Sequence, residues 1–345
     1  MSVGNMKRTG GTEMINPKEK IQLRKTDSPT RKSFSERMVE YGQIDKEFVV
    51  FESDIGYSTY SYLFGDKYPD RYFNMGIAEL GTMAAAAGMA ADGRTVIVSG
   101  YGVFLTMRAV EVVRSFICYP HLNVKILSSH GGLTAAIDGV THQATEDIAY
   151  MSTLPDMKVL APCDTYSARA AFDIAVKTPG PVFTRLMRDP LWDIYTEKDT
   201  FVLGGSHVVR EGKDITLVSY GDIVFQALEA AEVLAKEGID AEVIDMYSVK
   251  PFDKDTLLES ARRTKAVLVA ENHQKRNGLG YEIGTFLLKN YPWEKMGQKP
   301  LKFDHLGLED TFGESGNYFK VIDKYGISGR AIAEAARRLL KGSDR

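Results

Sequence analysis

Residues 95–129 read TVIVSGYGVFLTMRAVEVVRSFICYPHLNVKILSS, a strand, a helix and a second strand in close succession. The runs 95–99 and 123–128 are rich in β-branched and aliphatic residues, and the segment 103–117 between them has helical periodicity. A short continuous apolar run is typical of a strand that is buried on both faces, and two such strands joined by a helix are parallel. The segment therefore predicts a β-α-β unit within a parallel sheet that helices cover on both sides.

The same alternation of strands and helices continues in both directions along the chain. A polar, proline-bearing stretch after Asp189 interrupts it and reads as a linker. We therefore predict an α/β protein with two doubly wound domains and mostly parallel sheets. The predicted segments are a flexible leader at 1–24, a first domain at 25–192, a linker at 193–203 and a second domain at 204–345.

Start and stop signals set the expected bounds of the individual elements. Ser28 is the predicted cap of the first helix, with Pro29 at its first position. In the first domain we predict helices at 30–42, 76–91, 103–117, 143–152 and 165–177, and strands at 48–51, 95–99, 123–128, 157–160 and 181–185. In the second domain we predict strands at 214–219, 240–246, 265–270 and 300–306, and helices at 222–237, 253–263, 278–289, 317–324 and 328–341.

The composition of the 345 residues excludes several classes of protein. The 43 Lys and Arg against 46 Asp and Glu lack the basic surplus of a nucleic-acid-binding protein. Two cysteines, Cys118 and Cys163, are too few for a disulfide framework or a cysteine zinc cluster. No run approaches the roughly 18 to 20 apolar residues of a membrane span, and residues 1–25 lack the apolar core of a signal peptide. We expect a cytoplasmic protein with neither a nucleic-acid nor a membrane partner.

The loops that follow the predicted strands carry the unusual residues, and ligands of open parallel sheets lie at those strand ends. Glu79 ends the segment FNMGIAE and falls in the first turn of a helix, where a carboxylate can also serve only the helix dipole. Tyr101 and Phe104 lie three residues apart at the next helix start. Aromatic residues at this spacing can stack on a flat heterocycle, although many such pairs belong to a hydrophobic core.

The glycine-rich loop SSHGGLTAAIDGVTHQ, at 128–143, contains His130, Asp138 and His142. Two histidines and an aspartate can bind zinc, but this loop lacks the short fixed spacing of zinc ligands. Hydrogen bonding to a polyhydroxylated substrate suits these side chains better, so we predict no metal ligands in this chain.

The order of these motifs resembles the carboxyl-terminal part of transketolase, a thiamine-diphosphate enzyme, over nearly all the chain from Leu23 onward. The motifs that carry the resemblance are TRKS at 30–33, SDIGYS at 53–58, FNMGIAE at 73–79, GYGVFL at 100–105, SHGGLTAAIDGVTHQ at 129–143 and FTRLMR at 183–188. The resemblance implies a pyrimidine-binding domain of the thiamine-diphosphate-binding fold, followed by a transketolase C-terminal-like domain.

Carried over residue by residue, the resemblance assigns roles toward the cofactor thiamine diphosphate. Glu79 would hydrogen-bond the ring nitrogen N1′ of the aminopyrimidine and thereby activate the cofactor. Tyr101 and Phe104 would contact the pyrimidine ring, and Ile55 would be the apolar buttress that keeps the cofactor bent. The carbanion chemistry would belong to the cofactor, while the protein supplies position and proton control.

The remaining motif residues would bind the sugar. His130, Asp138 and His142 would contact hydroxyl groups of the ketose, and with Glu79 the two histidines form the implied catalytic set. The implied ligands of the terminal phosphate are Arg31, Ser58 and Arg185, with Arg188 as a substitute for Arg185. An arginine fork matches a tetrahedral oxyanion, although each arginine could instead be an ordinary ion-pair partner.

The family's diphosphate and metal site has no counterpart in this sequence. The closest imitation, ADG at 91–93 with Asn123 downstream, begins with alanine and runs directly into a strand, so we reject it as a metal site. The resemblance therefore implies a split enzyme, in which an N-terminal transketolase subunit supplies the diphosphate and Mg²⁺ or Ca²⁺ contacts in an α2β2 heterotetramer. The ENHQKRNGLG loop, with His273, is a further candidate for an anion or effector site, with ordinary loop structure as the alternative.

The implied activity is transfer of a two-carbon ketol unit from a ketose phosphate to an aldose phosphate. Ala136 and Ile137 precede Asp138 where the family usually has glycine and glutamate, which predicts a reshaped sugar channel. His130 stands where deoxyxylulose-phosphate synthases tend to have an acid, and this favours ketol transfer. The alternatives are a β-type subunit of a 2-oxoacid dehydrogenase, a deoxyxylulose-phosphate-synthase-like enzyme and a non-catalytic regulatory or binding module.

Overall fold

The computed structural model describes residues 23–292 and 300–342, and two large sheets organise this part of the chain. The fold is α/β with mostly parallel strands, as predicted. In spatial order, the seven-stranded sheet consists of Ser248–Lys250, Lys158–Leu160, Val182–Arg185, Val124–Ser129, Val96–Tyr101, Val49–Glu52 and Tyr72–Asn74. The five-stranded sheet consists of Lys302–Leu308, Ala266–Gln274, Ile215–Ser219, Ala241–Asp245 and His207–Arg210.

Helices cover both faces of the seven-stranded sheet, as the continuous apolar strands predict. Val96 and Val98 belong to one buried cluster with Met83 of the helix Glu79–Ala91, whereas Ile97 between them belongs to another with Phe34, Phe48 and Phe172. Successive strand residues point to opposite faces, so each face has its own core. The helices associated with this sheet are Thr30–Ile44, Gly56–Thr59, Tyr62–Lys67, Glu79–Ala91, Gly102–Met107, Val110–Val112, Asp147–Thr153 and Thr165–Lys177.

The second sheet carries its own helices. They are Ile223–Ala235, Lys254–Thr264, Leu279–Asn290, Tyr318–Lys324 and Gly329–Lys341. One edge strand, His207–Arg210, runs antiparallel to Ala241–Asp245. Within 23–292 and 300–342, no helix combines the length and apolarity that crossing a membrane requires.

Two strand pairings connect segments that the sequence separates. Ser248–Lys250, from the predicted second domain, pairs antiparallel with Lys158–Leu160 and so extends the first sheet. Arg24–Lys25 pairs with Trp192–Asp193, which joins the start of the predicted first domain to its end. The predicted flexible leader lies outside the described residues up to position 22, and Arg24 is already held in a strand.

Three local predictions are corrected by the structure. Pro29, not Ser28, is the N-cap of the first helix, and the Ser28 hydroxyl instead pairs with the Ser33 hydroxyl at 3.0 Å. The helix predicted at 103–117 breaks at residues 108–109 and ends in a π-helix, Val113–Cys118, whose wider turn absorbs an extra residue. The helix predicted at 143–152 begins only at Asp147, because Ala144 is bridged to the glycine-rich loop.

The buried carboxyl group of Asp245 makes the stability of the fold depend on pH. It accepts hydrogen bonds from the Tyr195 hydroxyl at 2.7 Å and from Cys163 Sγ at 3.3 Å, and burial raises its pKa to about 7. The same group titrates near 4 in an unfolded chain. Between about pH 4 and pH 7 the folded state therefore keeps a proton on Asp245 that the unfolded state has released. The free energy of unfolding falls as the pH rises through this range and is constant above it.

We accordingly expect Asp245→Asn to gain stability relative to the natural protein as the pH rises from about 4 to about 7, with a constant difference above that. Thermal unfolding of both proteins at a series of pH values measures this difference in stability. Asp66→Asn, at an exposed position, is the matched control and should show no such trend. If the difference in stability between Asp245→Asn and the natural protein stays constant from about pH 4 to about pH 7, the expectation is contradicted.

Candidate active site

Three neighbouring strands bring the predicted site loops to one edge of the seven-stranded sheet. Val49–Glu52, Val96–Tyr101 and Val124–Ser129 are parallel, with Glu52 opposite Ser99 and Tyr101 opposite Ser129. Their carboxyl ends therefore lie side by side, and the loops that follow them can contact one another.

The first of these loops carries Ile55 and Ser58 and is held by Glu52. The Ile55 N–H donates to Glu52 Oε2 at 2.6 Å, and the carboxylate itself is almost fully buried. Burial raises the pKa of Glu52, partly opposed by the hydrogen bonds it accepts from this backbone. Because an unpaired buried carboxylate is costly, this side chain and the loop backbone stabilise each other. Ile55 is half-buried directly before the short helix Gly56–Thr59.

Glu79 is the first residue of the helix Glu79–Ala91, where the positive end of the helix dipole favours a carboxylate. Its side chain is only 8% exposed, and its oxygen Oε2 lies 3.5 Å from Nη1 of Arg108. Arg108 also lies over the ring of Phe104, with Cζ 5.0 Å from the ring centroid. The carboxylate therefore faces a position next to an aromatic ring.

The four predicted ring residues form one cluster, and Arg108 connects its Phe104 ring to the Glu79 carboxylate. Tyr101 lies with its ring centroid 4.0 Å from that of His130, 5.6 Å from that of His142 and 6.2 Å from that of Phe104. Phe104 and His142 meet edge to face at 5.4 Å. Sequence reasoning named these residues separately, and the fold brings them together.

His130 is neutral in this arrangement. Its side chain is 1% exposed, and its Nδ1 pairs with the Ser129 hydroxyl at 2.7 Å. Burial lowers the pKa of His130 to about 2, and the positive charges of Arg31 and Arg188 act in the same direction. Its Nε2 lies 3.8 Å from Asp138 Oδ2. The imidazole can therefore act as a neutral hydrogen-bonding group toward a ligand.

The glycine-rich loop reaches this position by passing close to the second domain. Gly132 has a φ of +58°, and a Cβ atom there would lie 2.5 Å from Asn272. The Leu133 N–H then donates to Asn272 Oδ1 at 2.8 Å. Glycine at 132 is required both by the backbone conformation and by this approach.

A cationic group lies at the other end of the cluster. Arg31 donates from Nε to the Arg188 carbonyl at 2.9 Å, and from Nη1 to the carbonyl and hydroxyl oxygens of Ser58. The Ser58 hydroxyl also pairs with the Tyr101 hydroxyl at 2.7 Å. Arg188 pairs through Nε with Asp138 Oδ2 at 3.0 Å. Burial lowers the pKa of Arg31, and the charge of Arg188 adds to this effect.

Arg185 is not part of this cationic group. It is 5% exposed and donates from Nε to Asp147 Oδ2 at 3.0 Å, and from Nη2 to the carbonyls of Ala144 and Asn272 at 3.2 and 2.7 Å. These partners hold its guanidinium between the two domains. Arg188, which the sequence offered only as a substitute, is the arginine that the fold places beside Arg31 and Asp138.

Two contributors to the site were missed by sequence reasoning. Glu52 directly follows the strand predicted at 48–51, and the structure includes it as the last residue of that strand. An acidic side chain at the carboxyl end of a buried strand was the available signal. Arg108 follows Phe104 by four residues, a spacing that places two side chains on one helix face. That spacing could have associated Arg108 with the aromatic residues.

The described residues contain no group of three or more His, Cys, Asp or Glu side chains that could hold a metal ion. Of the residues that imitate a metal motif, Asn123 donates from Nδ2 to Thr95 Oγ1 at 2.7 Å. The Asp92 side chain is 77% exposed. The carboxylate of Glu79 and the rings of Tyr101 and Phe104 do fit a flat heterocycle with a hydrogen-bonding ring nitrogen. An aminopyrimidine has this chemistry.

Comparison with known proteins assigns both halves of the chain to one family. Residues 27–191 match the family model of the transketolase pyrimidine-binding domain, and residues 204–332 match that of the transketolase C-terminal domain. Over 313 residues the chain is 34% identical to a putative transketolase C-terminal section of Methanocaldococcus jannaschii, covering 90% of this chain and 96% of that protein.

A second relative and a solved structure agree with this assignment. The chain is 36% identical over 309 residues to a 6-deoxy-6-sulfo-D-fructose transketolase subunit of Clostridium sp. strain MSTE9, covering 90% of this chain and 94% of that protein. It is also similar to a solved split-gene transketolase described as an inactive beta4 tetramer, with a TM-score of 0.82 and 38% identity over 92% of this chain and 99% of that one. The chain belongs to the transketolase family, among its split subunits.

Proposed function

We propose that this chain is the subunit of a split transketolase that transfers a two-carbon ketol unit from a ketose phosphate to an aldose phosphate. The observation that carries the proposal is the cluster of Tyr101, Phe104, His130 and His142 at the strand ends, which Arg108 links to Glu79. A carboxylate, two aromatic rings and neutral hydrogen-bonding groups meet the needs of an aromatic cofactor and a sugar.

The cofactor implied by the family is thiamine diphosphate, which when bound supplies a carbon nucleophile that accepts and releases the two-carbon unit. Glu79 would hold the proton at ring nitrogen N1′, because its buried carboxylate faces the ring position beside Phe104. Tyr101 and Phe104 would contact the pyrimidine ring. Ile55, held through its N–H by Glu52, would support the bend of the cofactor.

The substrate-binding groups lie beyond these rings. His130, Asp138 and His142 would hydrogen-bond hydroxyl groups of the sugar. Because His130 is neutral, it would donate or accept a hydrogen bond without carrying charge into the site. The terminal anion would bind at Arg31, Ser58 and Arg188. The Arg31 guanidinium donates to the backbone carbonyl of Arg188, so two arginines lie together, and this favours an anionic sugar terminus, whether phosphate or sulfonate.

The diphosphate and its Mg²⁺ or Ca²⁺ ion would be bound by an N-terminal partner subunit. Large apolar side chains that neighbour site residues in the sequence are exposed, with Tyr57 at 83%, Ile77 at 77% and Ile137 at 61%. Exposed apolar groups of this kind are typical of a surface that another chain covers. We expect an α2β2 heterotetramer that is active, and a chain that is inactive without its partner.

Reconstitution tests this function. The chain and its partner, mixed with thiamine diphosphate and Mg²⁺, should transfer the ketol unit from xylulose 5-phosphate to an aldose phosphate, whereas either subunit alone should not. Pyruvate with an electron acceptor tests the 2-oxoacid dehydrogenase alternative, and pyruvate with glyceraldehyde 3-phosphate tests the deoxyxylulose-phosphate-synthase alternative. Turnover of pyruvate without turnover of any ketose would reject the proposal.

Arg188→Met should weaken binding of the anionic end of the sugar. Loss of a hydrogen bond to a charged group costs about 1.5 to 3 kcal/mol, so KM for a phosphorylated donor should rise roughly 10- to 100-fold while kcat changes less. Steady-state kinetics measures both values. Arg114→Met, at an exposed position, is the control, and the same KM for both variants would remove Arg188 from the anion site.

A further inference from the structure

Arg108 contacts two residues of the site, Glu79 and Phe104, although the proposed function gives Arg108 no role. It lies in the turn between the helices Gly102–Met107 and Val110–Val112, and its backbone N–H donates to the Phe104 carbonyl. Its side chain is 60% exposed, yet the guanidinium reaches Glu79 at 3.5 Å and covers the ring of Phe104 at 5.0 Å. An exposed arginine that could extend into water is thus turned back over the site.

The two groups that the guanidinium contacts are those proposed to hold the aminopyrimidine. A guanidinium is planar, presents N–H donors along its edge and stacks on aromatic faces. An aminopyrimidine shares its planarity and its ability to stack. A second planar group that stacked on the face of Phe104 covered by Arg108 and also contacted Glu79 Oε2 would overlap the guanidinium.

We infer that Arg108 occupies the aminopyrimidine position of the site and withdraws when thiamine diphosphate binds. This inference rests on the proposed function. Arg108 is a latch that competes with the cofactor for Glu79 and Phe104. Its release costs little, since the pair is partly exposed to solvent and an exposed ion pair is weak. The latch therefore lowers the affinity for the cofactor without blocking the site.

Such competition has a specific kinetic signature. A cofactor that binds only after the latch opens has an affinity reduced by the fraction of open molecules. Removing the guanidinium raises that fraction to one. Arg108→Ala therefore increases the association rate of thiamine diphosphate, whereas its dissociation rate stays the same.

Equilibrium and stopped-flow binding of thiamine diphosphate with Mg²⁺ to the assembled chain and partner provide the test. We expect about 3- to 10-fold tighter binding by Arg108→Ala, the size of a weak ion pair and cation–π contact. Arg114→Ala, at an exposed position six residues later, should bind like the natural protein. Unchanged or weaker binding by Arg108→Ala overturns the latch.

Two further measurements identify which contacts of Arg108 compete with the cofactor. The fragment 4-amino-5-hydroxymethyl-2-methylpyrimidine should gain affinity in Arg108→Ala, whereas the thiazole fragment should not, and an equal gain for both overturns the inference. In a Glu79→Gln background the gain from Arg108→Ala should shrink, as a double-mutant cycle reveals. If the natural pair fails to bind thiamine diphosphate, the proposed function fails as well. If it binds and Arg108→Ala shows no gain, only the latch is overturned.

Discussion

We expect Glu79→Ala to reduce turnover of the reconstituted enzyme by about 10²- to 10⁴-fold, because the carboxylate is the proposed proton partner of the cofactor ring. The fold should tolerate the change. Glu79 begins its helix and contributes a dipole interaction of roughly 0.3 to 1 kcal/mol, and its ion-pair partner Arg108 is largely exposed. Steady-state rates at saturating cofactor, measured beside far-UV circular dichroism and assembly by gel filtration, separate catalysis from folding.

The matched control is Glu259→Gln, an exposed glutamate on the helix Lys254–Thr264 of the second domain. It should retain full turnover. Glu79→Gln, which keeps the size and removes the charge, should lose activity nearly as severely as Glu79→Ala. An active Glu79→Ala variant would discredit the assignment of the carboxylate. A natural pair without turnover of any ketose or pyruvate would instead support the non-catalytic alternative.

Arg185→Met should destabilise the protein by about 3 to 5 kcal/mol, the cost of leaving a buried partner charge unpaired. The partner is Asp147, which is fully buried and lies 3.0 Å from Arg185 Nε. Two carbonyl groups, of Ala144 and Asn272, would lose a donor as well. The midpoint of urea unfolding, read by circular dichroism, measures the loss.

Arg188→Met is the natural comparison, since Arg188 lies three residues away and its pair with Asp138 is partly exposed. It should unfold at nearly the same urea concentration as the natural protein, because exposed pairs contribute about 1 kcal/mol or less. Replacing both Arg185 and Asp147 by apolar residues should recover part of the stability. If Arg185→Met is as stable as Arg188→Met, the guanidinium of Arg185 is not a structural element.

The two arginines illustrate where sequence reasoning ends. Both belong to FTRLMR, and both residue types suit an oxyanion. The motif alone favoured Arg185. What separates them is Asp147, which is 38 residues away and meets Arg185 only when the strand Val182–Arg185 packs against the start of the helix Asp147–Thr153. No local pattern carries that information, because burial and ion pairing are properties of the packed chain.

The aromatic residues of the site illustrate the opposite case. Glu79 comes after the strand Tyr72–Asn74, which was not predicted from the sequence. Tyr101 and His130, in contrast, each follow a predicted strand of the parallel sheet, and carboxyl ends of adjacent parallel strands meet. Their convergence could therefore be expected from the sequence. The neutral state of His130 could not, since it depends on burial and on the charges of Arg31 and Arg188.

The sequence by itself determined the alternation of strands and helices and the order of the site motifs. The alternation depends on periodicity and local residue preference over about ten neighbouring positions. The order of the motifs was recognised by its resemblance to transketolase. Only the tertiary structure decided that Ser248–Lys250 extends the first sheet, that Arg185 pairs with the buried Asp147 and that Arg108 pairs with Glu79. Those outcomes depend on which distant groups are brought into contact when apolar surfaces are buried, and the energies of such contacts exist only in the folded chain.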